Sequence, residues 1–283
     1  MAAKIAFINS NGGCGKTTSI FHISGVLAKS NKKILVIDLD KQKNTTSTLM
    51  MNASEKYFPK KTVFDFMRGA ASPDEATGKA LFQRRGNANP RYYGVNCMVS
   101  DSRLEDESLL KEVDGKSVGL ELDKFIKDHH YDWVLVDMPP SSAVLNNICF
   151  AYIVNYAIIP FSSDMFSLDG YENIAENIKN ARNVNPGLNS LGVYLARYMG
   201  NCALDKYIKG QLSDRLYNKN LKTNDFIDVQ IPLASDIREA VFYGRPISYY
   251  KEFSNSCKAY ENLVREIMKR IKALAVRAPR GEV

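Results

Sequence analysis

One glycine-rich segment, set between an apolar run and a helical pattern, constrains the fold of this chain more than any other feature. Residues 5–8 form a short apolar run, residues 11–18 read NGGCGKTT, and residues 18–30 carry apolar side chains at helical spacing. Glycine lets a backbone turn without Cβ clashes, so that successive N–H groups can point at one centre. The start of the following helix adds a partial positive charge. The segment therefore predicts a loop between a strand and a helix that binds phosphate groups.

Further apolar runs predict the sheet to which this loop belongs. They lie at residues 34–37, 133–136, 156–159 and 191–196. The first two are nearly unbroken rather than alternating, which is typical of strands buried on both faces of a parallel sheet. Residues 168–184 and 252–276 have helical patterns, and the polar residues 84–91 contain Gly and Pro, which predicts a surface loop. Alternating strands and helices predict an α/β fold, with a doubly wound, mostly parallel sheet flanked by helices.

Composition sets limits on the class of protein. A chain of 283 residues can form a single domain over residues 1–283, with a frayed tail at 278–283. No apolar run approaches the ~20 residues that span a bilayer, and the start of the chain lacks a signal-peptide pattern. The five cysteines are widely spaced and form no CxxC, which favours reduced thiols and a cytoplasmic protein. The formal charge of +7 permits binding to nucleic acid or to an anionic membrane.

The residue types of the phosphate loop predict how it would hold a nucleotide. Lys16 can reach the β- and γ-phosphates, the Thr17 hydroxyl can ligate Mg²⁺, and Thr18 can reach the α-phosphate. The standard GxxxxGK[ST] pattern has glycine where this chain has Ser10, so the loop is a variant form. A glycine-rich turn with a surface lysine is the alternative, which the coincidence of strand, glycines, lysine and helix disfavours. The predicted cofactors are ATP and Mg²⁺, held by Asn11, Gly12, Gly13, Cys14, Gly15, Lys16, Thr17 and Thr18.

Acidic side chains follow two of the apolar runs, at the edge where ligands bind in open α/β sheets. Asp38 and Asp40 come after residues 34–37, and Asp137 comes after residues 133–136. An aspartate after such a strand can hold the Mg²⁺ shell, so we expect Asp137, supported by Asp38, to bind the metal together with Thr17. A carboxylate near the γ-phosphate can orient the attacking water, and Asp40 is the candidate. A helix cap or a solvated turn is the alternative for each aspartate taken alone. The predicted catalytic residues are Lys16, Asp40 and Asp38.

Together these motifs resemble the ParA/MinD family of deviant-Walker-A ATPases, a group within the SIMIBI class of P-loop proteins. The matching segments follow the family's order and span nearly the whole chain, at residues 11–18, 34–49, 62–69, 131–141 and 231–247. The likeness is closest to the ParA branch. The second acidic motif of that branch reads DxDPQ-N-T, and residues 38–46 here read DLDKQKNTT.

The resemblance implies an ATP-dependent dimerisation switch. Such proteins form a homodimer around ATP, bind DNA non-specifically in that state, and position plasmids, chromosomes or other cargo. An adaptor, ParB-like or linked to cargo, stimulates their slow hydrolysis of ATP. The same resemblance implies that Asp40 is needed for hydrolysis, that Asp137 is the Walker-B acid, and that Ile231 and Pro232 flank adenine. It also implies a cytoplasmic, nucleoid-associated protein with no stable membrane association.

Some positions depart from the family pattern. The signature lysine, which reaches across the dimer to the partner's phosphates, falls at Asn11, and arginines of the family fall at Leu233 and Asp236. An amide can still donate a hydrogen bond, but a charge-assisted contact is about twice as strong. Basic residues in the last third of the chain are the candidate DNA contacts, which would be charge-driven and salt-sensitive. They are Lys206, Lys209, Arg215, Lys219, Lys222, Arg238, Arg245 and Lys251.

Other functions remain alternatives at this point. A MinD-like ATPase would bind membranes through a basic amphipathic C-terminal segment, whereas the long apolar stripe of residues 252–276 favours a helix that covers the sheet. A metabolic P-loop ligase or reductase would use ATP to activate a small substrate. Turnover that depends on such a substrate would distinguish that enzyme from a switch protein with slow, protein-stimulated hydrolysis.

Overall fold

The computed structural model describes residues 2–84, 89–162, 168–218 and 223–277. Its strands are β1 Ala3–Phe7, β2 Ile34–Asp38, β3 Thr77–Phe82, β4 Arg91–Met98, β5 Trp133–Asp137, β6 Tyr156–Phe161, β7 Asn189–Tyr198, β8 Tyr217–Asn218, β9 Thr223–Asn224 and β10 Phe226–Pro232. The main sheet has the order β10-β7-β6-β1-β5-β2-β4-β3, and β8 pairs with β9 separately. Neighbours in the main sheet run parallel, except that β3 runs antiparallel to β4.

Helices cover both faces of this sheet. They are α1 Lys16–Lys29, α2 Asn44–Leu49, α3 Val63–Met67, α4 Glu107–Lys111, α5 Gly115–Asp128, α6 Ala143–Ile148, α7 Leu168–Ala181, α8 Ala203–Arg215, α9 Ser235–Phe242, α10 Ile247–Tyr250 and α11 Asn255–Arg277. One apolar core joins the sheet to α3–α8, and the other joins it to α1, α2 and α9–α11. The predicted fold class, a mostly parallel α/β sheet flanked by helices, is confirmed.

The central strands form because their side chains supply both cores at once. In β1, Ile5 and Phe7 enter one core while Ala6 enters the other, since successive side chains of a strand point to opposite faces. The register then aligns the carboxyl ends of the strands, placing Asp137 between Phe7 on one side and Asp38 on the other. The residues that follow the apolar runs therefore meet at one edge of the sheet.

All five predicted strands are present, with bounds that differ by at most two residues at either end, and so are the three predicted helices. The antiparallel pair β3–β4 was missed because Gly78 and Lys79 interrupt the apolar pattern of β3. The prediction of a loop over residues 84–91 is wrong at its end, since Arg91 begins β4, and residues 85–88 lie outside the described part. The predicted frayed tail, residues 278–283, also lies outside it.

The helix α11 covers the sheet through its apolar stripe, as expected. Tyr260, Leu263 and Ile267 are buried in the second core. Arg270 fastens the helix by donating hydrogen bonds to the main-chain oxygens of Leu191 and Phe226, each at 2.9 Å. No helix within the described ranges is both long and apolar enough to cross a membrane.

Candidate nucleotide-binding site

The phosphate loop leaves β1 and ends at the first turn of α1. Gly13 and Gly15 have φ angles of 73° and 93°, in the left-handed region that glycine adopts without strain. No described atom lies within 4 Å of a Cβ built at Gly12 or Gly13, so the loop borders open space. Asn9, which sequence reasoning missed, anchors the loop: its Nδ2 donates to the Pro160 oxygen at 2.7 Å, and its Oδ1 accepts from the Asn11 N–H at 2.9 Å. This geometry suits an anion held by main-chain N–H groups.

Lys16 lies folded back over the loop. Its ammonium donates to the main-chain oxygens of Asn9 and Asn11, both at 3.2 Å, and its side chain is buried. Cys14 is also buried, and its Sγ donates to the Asn11 oxygen at 3.3 Å. Burial raises the pKa of the Cys14 thiol, more than the nearby Lys16 lowers it. The buried hydrogen bond between Cys14 and Asn11 therefore stabilises the loop conformation. Lys16 is the cation that an incoming phosphate would meet.

Asp137 lies beneath the loop at the end of β5. Its Oδ2 accepts hydrogen bonds from the Thr17 hydroxyl at 2.7 Å and from the Thr45 hydroxyl at 2.6 Å. Its Oδ1 is buried and has no hydrogen-bond partner among the described residues. Burial raises the pKa of Asp137, and the hydrogen bonds from Thr45 and Thr17 lower it. Thr45 was missed in the sequence, although its place in the DLDKQKNTT motif was a signal that could have found it.

Asp38 lies beside Asp137 at the end of β2. Its Oδ2 accepts from the N–H and the hydroxyl of Thr46, at 2.8 and 2.7 Å, and its Oδ1 accepts from the Asp40 N–H at 3.1 Å. Burial, followed by the charge of Asp137, raises the pKa of Asp38 to about 7. Thr46 belongs to the first turn of α2, so this helix holds both carboxylates through its consecutive threonines.

The residues at this point fit Mg²⁺. A buried carboxylate oxygen with no protein partner and an adjacent threonine hydroxyl are oxygen ligands of the kind that Mg²⁺ prefers, alongside phosphate and water. Within the described ranges no group of three or more His, Cys, Asp or Glu side chains could hold a metal ion. Magnesium would therefore be held by Thr17 and Asp137, with Asp38 behind them, and would depend on the nucleotide for further ligands.

Asp40 stands apart from the buried pair. It is partly exposed and lines the cavity above the loop. Its own main-chain oxygen accepts from the Ser100 hydroxyl at 2.6 Å, and its Oδ1 accepts from the Gln42 N–H at 3.0 Å. The next residue, Lys41, forms an ion pair with Glu105 across the same wall. Asp40 is thus fixed at the cavity surface, where a water molecule can reach its carboxylate.

One cavity of about 990 Å³ joins these residues. Lys16, Thr17 and Asp40 line one part of it, and Ile231 and Pro232 at the end of β10 line another. The cavity volume lies at the upper end of the range typical of ligand sites, roughly 300–1,000 Å³. The predicted phosphate and adenine subsites therefore open into the same space, although their residues lie more than two hundred positions apart.

The candidate DNA contacts divide between the two layers of helices. Lys206 and Arg215 are exposed on α8, and Lys209 on the same helix forms an ion pair with Asp228 at 2.8 Å. The helix α8 packs into the first core, on the face opposite α9–α11. Two candidates lie outside the described residues, Lys219 and Lys222.

The remaining candidates lie on or after α9. Arg238 is exposed and lines the nucleotide cavity. Arg245 bonds to Gln83, and its guanidinium lies 5.9 Å from the ring centre of Tyr243. Lys251 forms an ion pair with Glu239 at 3.2 Å. The structure therefore does not gather the six described candidates on one helix face, and two of these last three have partners within the chain.

The segment that departs from the family pattern forms part of the cavity wall. Leu233 lines the cavity, and Asp236 accepts a hydrogen bond from the Ser256 hydroxyl at 2.7 Å. Where the family has arginines, this chain has a leucine in the cavity wall and an aspartate that forms a hydrogen bond between α9 and α11.

Comparison with known proteins assigns the chain to a family. A family model described as an AAA domain matches residues 2–190. The chain is 27% identical over 270 residues to the chromosome-partitioning ATPase Soj of Thermus thermophilus, covering 95% of this chain and 96% of that protein. It is 28% identical over 273 residues to Soj of Treponema pallidum, covering 95% and 98%.

Solved structures share the fold. The cobyrinic acid a,c-diamide synthase of Mycobacterium smegmatis with bound ADP and magnesium has a TM-score of 0.73 at 20% identity, with 96% of each chain covered. The cell division ATPase MinD of Pyrococcus furiosus has a TM-score of 0.66 at 22% identity, with 95% of this chain and 99% of that chain covered. The chain therefore belongs to the AAA-domain family and is a member of the ParA/MinD family of ATPases.

Proposed function

We propose that this chain is a MgATP-dependent switch that dimerises around ATP, binds DNA without sequence preference, and positions or segregates DNA or another cargo. The observation that carries the proposal is the single cavity in which Lys16, Thr17 and Asp40 face the same space as Ile231 and Pro232. A triphosphate on the loop and a base near β10 would both lie in that space.

The chemistry follows from the positions of the side chains. Lys16 and the loop N–H groups stabilise the negative charge of the β- and γ-phosphates, because fixed donors aimed at developing charge need no reorganisation. Bound Mg²⁺ would neutralise charge on the phosphates, and Thr17 and Asp137 would hold it. Asp40 accepts a hydrogen bond from the attacking water and orients it in line with the bond to be broken. Asp38 keeps α2 and Asp40 in place through Thr46 and the Asp40 N–H.

The wider role rests on the relatives. Two curated relatives that span nearly the whole chain are named as chromosome-partitioning ATPases. A homodimer, a DNA surface, a stimulating adaptor, a single domain over residues 1–283 and a cytoplasmic, nucleoid-associated location belong to the same proposal. Lys206 and Arg215 are the DNA contacts that stand exposed on α8, and the overall charge of +7 favours an anionic partner.

Nucleotide binding tests the site. Lys16→Ala should remove MgATP binding in an equilibrium assay, whereas Lys124→Ala, on the exposed face of α5, should leave it unchanged. Asp40→Ala should bind MgATP and lose hydrolysis by at least about 100-fold, since positioned bases contribute on this scale. Wild-type affinity in Lys16→Ala would refute the loop assignment, and wild-type turnover in Asp40→Ala would remove that residue from its role.

Oligomeric state and partner binding test the switch. Light scattering should give a dimer with ATP and a monomer with ADP or no nucleotide, and a monomer in all three conditions would contradict the proposal. The ATP form should pellet with DNA in a salt-sensitive manner and remain in solution with anionic liposomes. Pelleting with liposomes alone would favour a MinD-like protein, and turnover that requires a small co-substrate would favour a ligase or reductase.

A further inference from the structure

A bulge at the end of β7 turns one arginine toward the phosphate loop. Between Leu195 and Tyr198 the strand has one residue more than its partner β10 has between Gln230 and Pro232. Arg197 lies in this bulge with a φ angle of 57°, in the left-handed region that residues other than glycine rarely adopt. Bulges redirect side chains, and strained residues concentrate at functional sites.

The redirected side chain meets the loop itself. The Arg197 guanidinium donates from Nη1 to the main-chain oxygen of Gly13 at 3.2 Å, and Arg197 lines the nucleotide cavity. The preceding residue, Ala196, packs so closely that a Cβ at Gly15 would lie 3.2 Å from its own Cβ. The end of β7 therefore packs against the loop.

Arg197, like Lys16, is a cation that donates hydrogen bonds to the phosphate loop. Each cation donates to neutral carbonyls of the loop, Arg197 to Gly13 and Lys16 to Asn9 and Asn11. A phosphate oxygen is a stronger acceptor than a carbonyl for either group, and the planar fork of arginine matches the geometry of phosphate.

We propose that Arg197 is a second phosphate-binding cation, which exchanges the Gly13 carbonyl for the polyphosphate of the nucleotide bound to its own chain. This inference rests on the proposed nucleotide site and adds a residue to it. The bulge would then serve to place a second positive charge beside the loop, since Lys16 is the one cation in the loop sequence itself.

Two substitutions separate charge from backbone strain. Arg197→Ala removes the guanidinium and keeps the strained backbone, while Arg197→Gly removes the guanidinium and relieves the strain. Both should weaken MgATP binding by about tenfold or more, the range for a hydrogen bond to a charged group. Arg197→Lys should retain part of the affinity, and Arg197→Gly should melt at or above the wild-type temperature. The matched control is Arg265→Ala, an exposed arginine of α11, which should bind as the wild type does.

The outcomes distinguish this inference from the proposed function. If the wild type and Arg265→Ala fail to bind MgATP, the nucleotide site itself is refuted. If they bind and both Arg197 variants bind equally well, only the role of Arg197 is overturned. Normal affinity in Arg197→Gly with weak binding in Arg197→Ala would also overturn it, because the guanidinium would then be dispensable. A loss seen only at protein concentrations that give a dimer would overturn the assignment to the same chain's nucleotide.

Discussion

A buried histidine in α1 should contribute less to the stability of the ligand-free protein as the pH falls. His22 is completely buried, and its Nδ1 accepts a hydrogen bond from the Ile247 N–H at 3.0 Å. Its ring packs against Phe21 and Tyr260, with centroids 5.2 and 4.8 Å away. Burial lowers the pKa of His22 to about 3, so the folded protein keeps the imidazole neutral across the ordinary range of pH. The histidine thereby joins the helix of the phosphate loop to the start of α10.

The size of the effect follows from proton linkage. Below about pH 6.5, the ordinary pKa of histidine, the unfolded chain binds a proton that the folded protein does not, so the free energy of unfolding falls as the pH falls. Each pH unit costs about 1.36 kcal/mol until the folded pKa is reached. From neutral pH down to about pH 4.5, the contribution of His22 should therefore decrease by about 2.7 kcal/mol.

Asp38 acts in the opposite direction and has to be separated from His22. Its folded pKa of about 7 lies above its ordinary value of 3.8, so the folded protein binds the extra proton and gains stability as the pH falls through this window. Comparing the wild type with a variant at His22 cancels the contribution of Asp38 to the free energy of unfolding. His22→Asn keeps an acceptor for the Ile247 N–H but cannot titrate, and Asp38 is the same in both.

Urea unfolding of the two proteins, without nucleotide or metal, measures the difference at each pH. The substitution also changes packing, so the two free energies of unfolding should differ by an amount that is the same at every pH. This constant difference carries no information about the titration of His22. The free energy of unfolding of the wild type, relative to the variant, should fall by about 2.7 kcal/mol between pH 7.5 and pH 4.5. Parallel curves would refute the reasoning, because they would mean that His22 binds its proton equally in the folded and unfolded states.

Two further substitutions test the site and the packing behind it. Thr45→Val removes one of the two hydroxyls that donate to Asp137 and keeps the shape of the side chain. ATP binding should then need about ten times more Mg²⁺ in a magnesium titration, because the carboxylate loses part of its support. Unchanged dependence on Mg²⁺ would exclude a supporting role for Thr45. Gly25→Ala in α1 would place a Cβ 2.2 Å from the Pro246 Cβ and should cost roughly 1–3 kcal/mol of stability in spite of the better helix propensity of alanine. Gly210→Ala in α8, with no described atom within 4 Å of the added Cβ, is its control and should gain up to about 1 kcal/mol; equal melting shifts in the two variants would contradict the packing argument.

The sequence predicted best those parts of the molecule in which a candidate site residue directly follows an apolar run. Ile34–Asp38 and Trp133–Asp137 are strands whose last residue is the candidate metal-binding acid, so the strand pattern and the acid were predicted together. The parallel topology then brings Asp38 and Asp137 together without further information. The pair β3–β4 has weaker patterns, since Gly78 and Lys79 interrupt β3 and β4 begins with exposed Arg91 and Tyr92.

Contacts that depend on tertiary geometry were not accessible in this way. Arg197 reaches the loop because of a one-residue bulge, which leaves no mark in the hydrophobic pattern. Gly25 and Gly210 are both glycines inside helices, and only the structure shows that Pro246 packs on one and nothing described packs on the other. The eight basic candidates for DNA binding were grouped by sequence position, whereas the sheet separates α8 from α9 by its whole thickness.

The site works against the stability of the fold that carries it. The same strands that supply the core end in Asp38 and Asp137, two carboxylates side by side in the interior, and burial raises the pKa of both. Without a cation their charges oppose folding, and Thr17, Thr45 and Thr46 offset only part of that cost through hydrogen bonds. A ligand that binds only the folded state adds stability in proportion to the logarithm of its concentration over its dissociation constant. Ligand binding and folding are therefore linked at this edge of the sheet, and the carboxylates that disfavour the empty protein are those that would hold Mg²⁺.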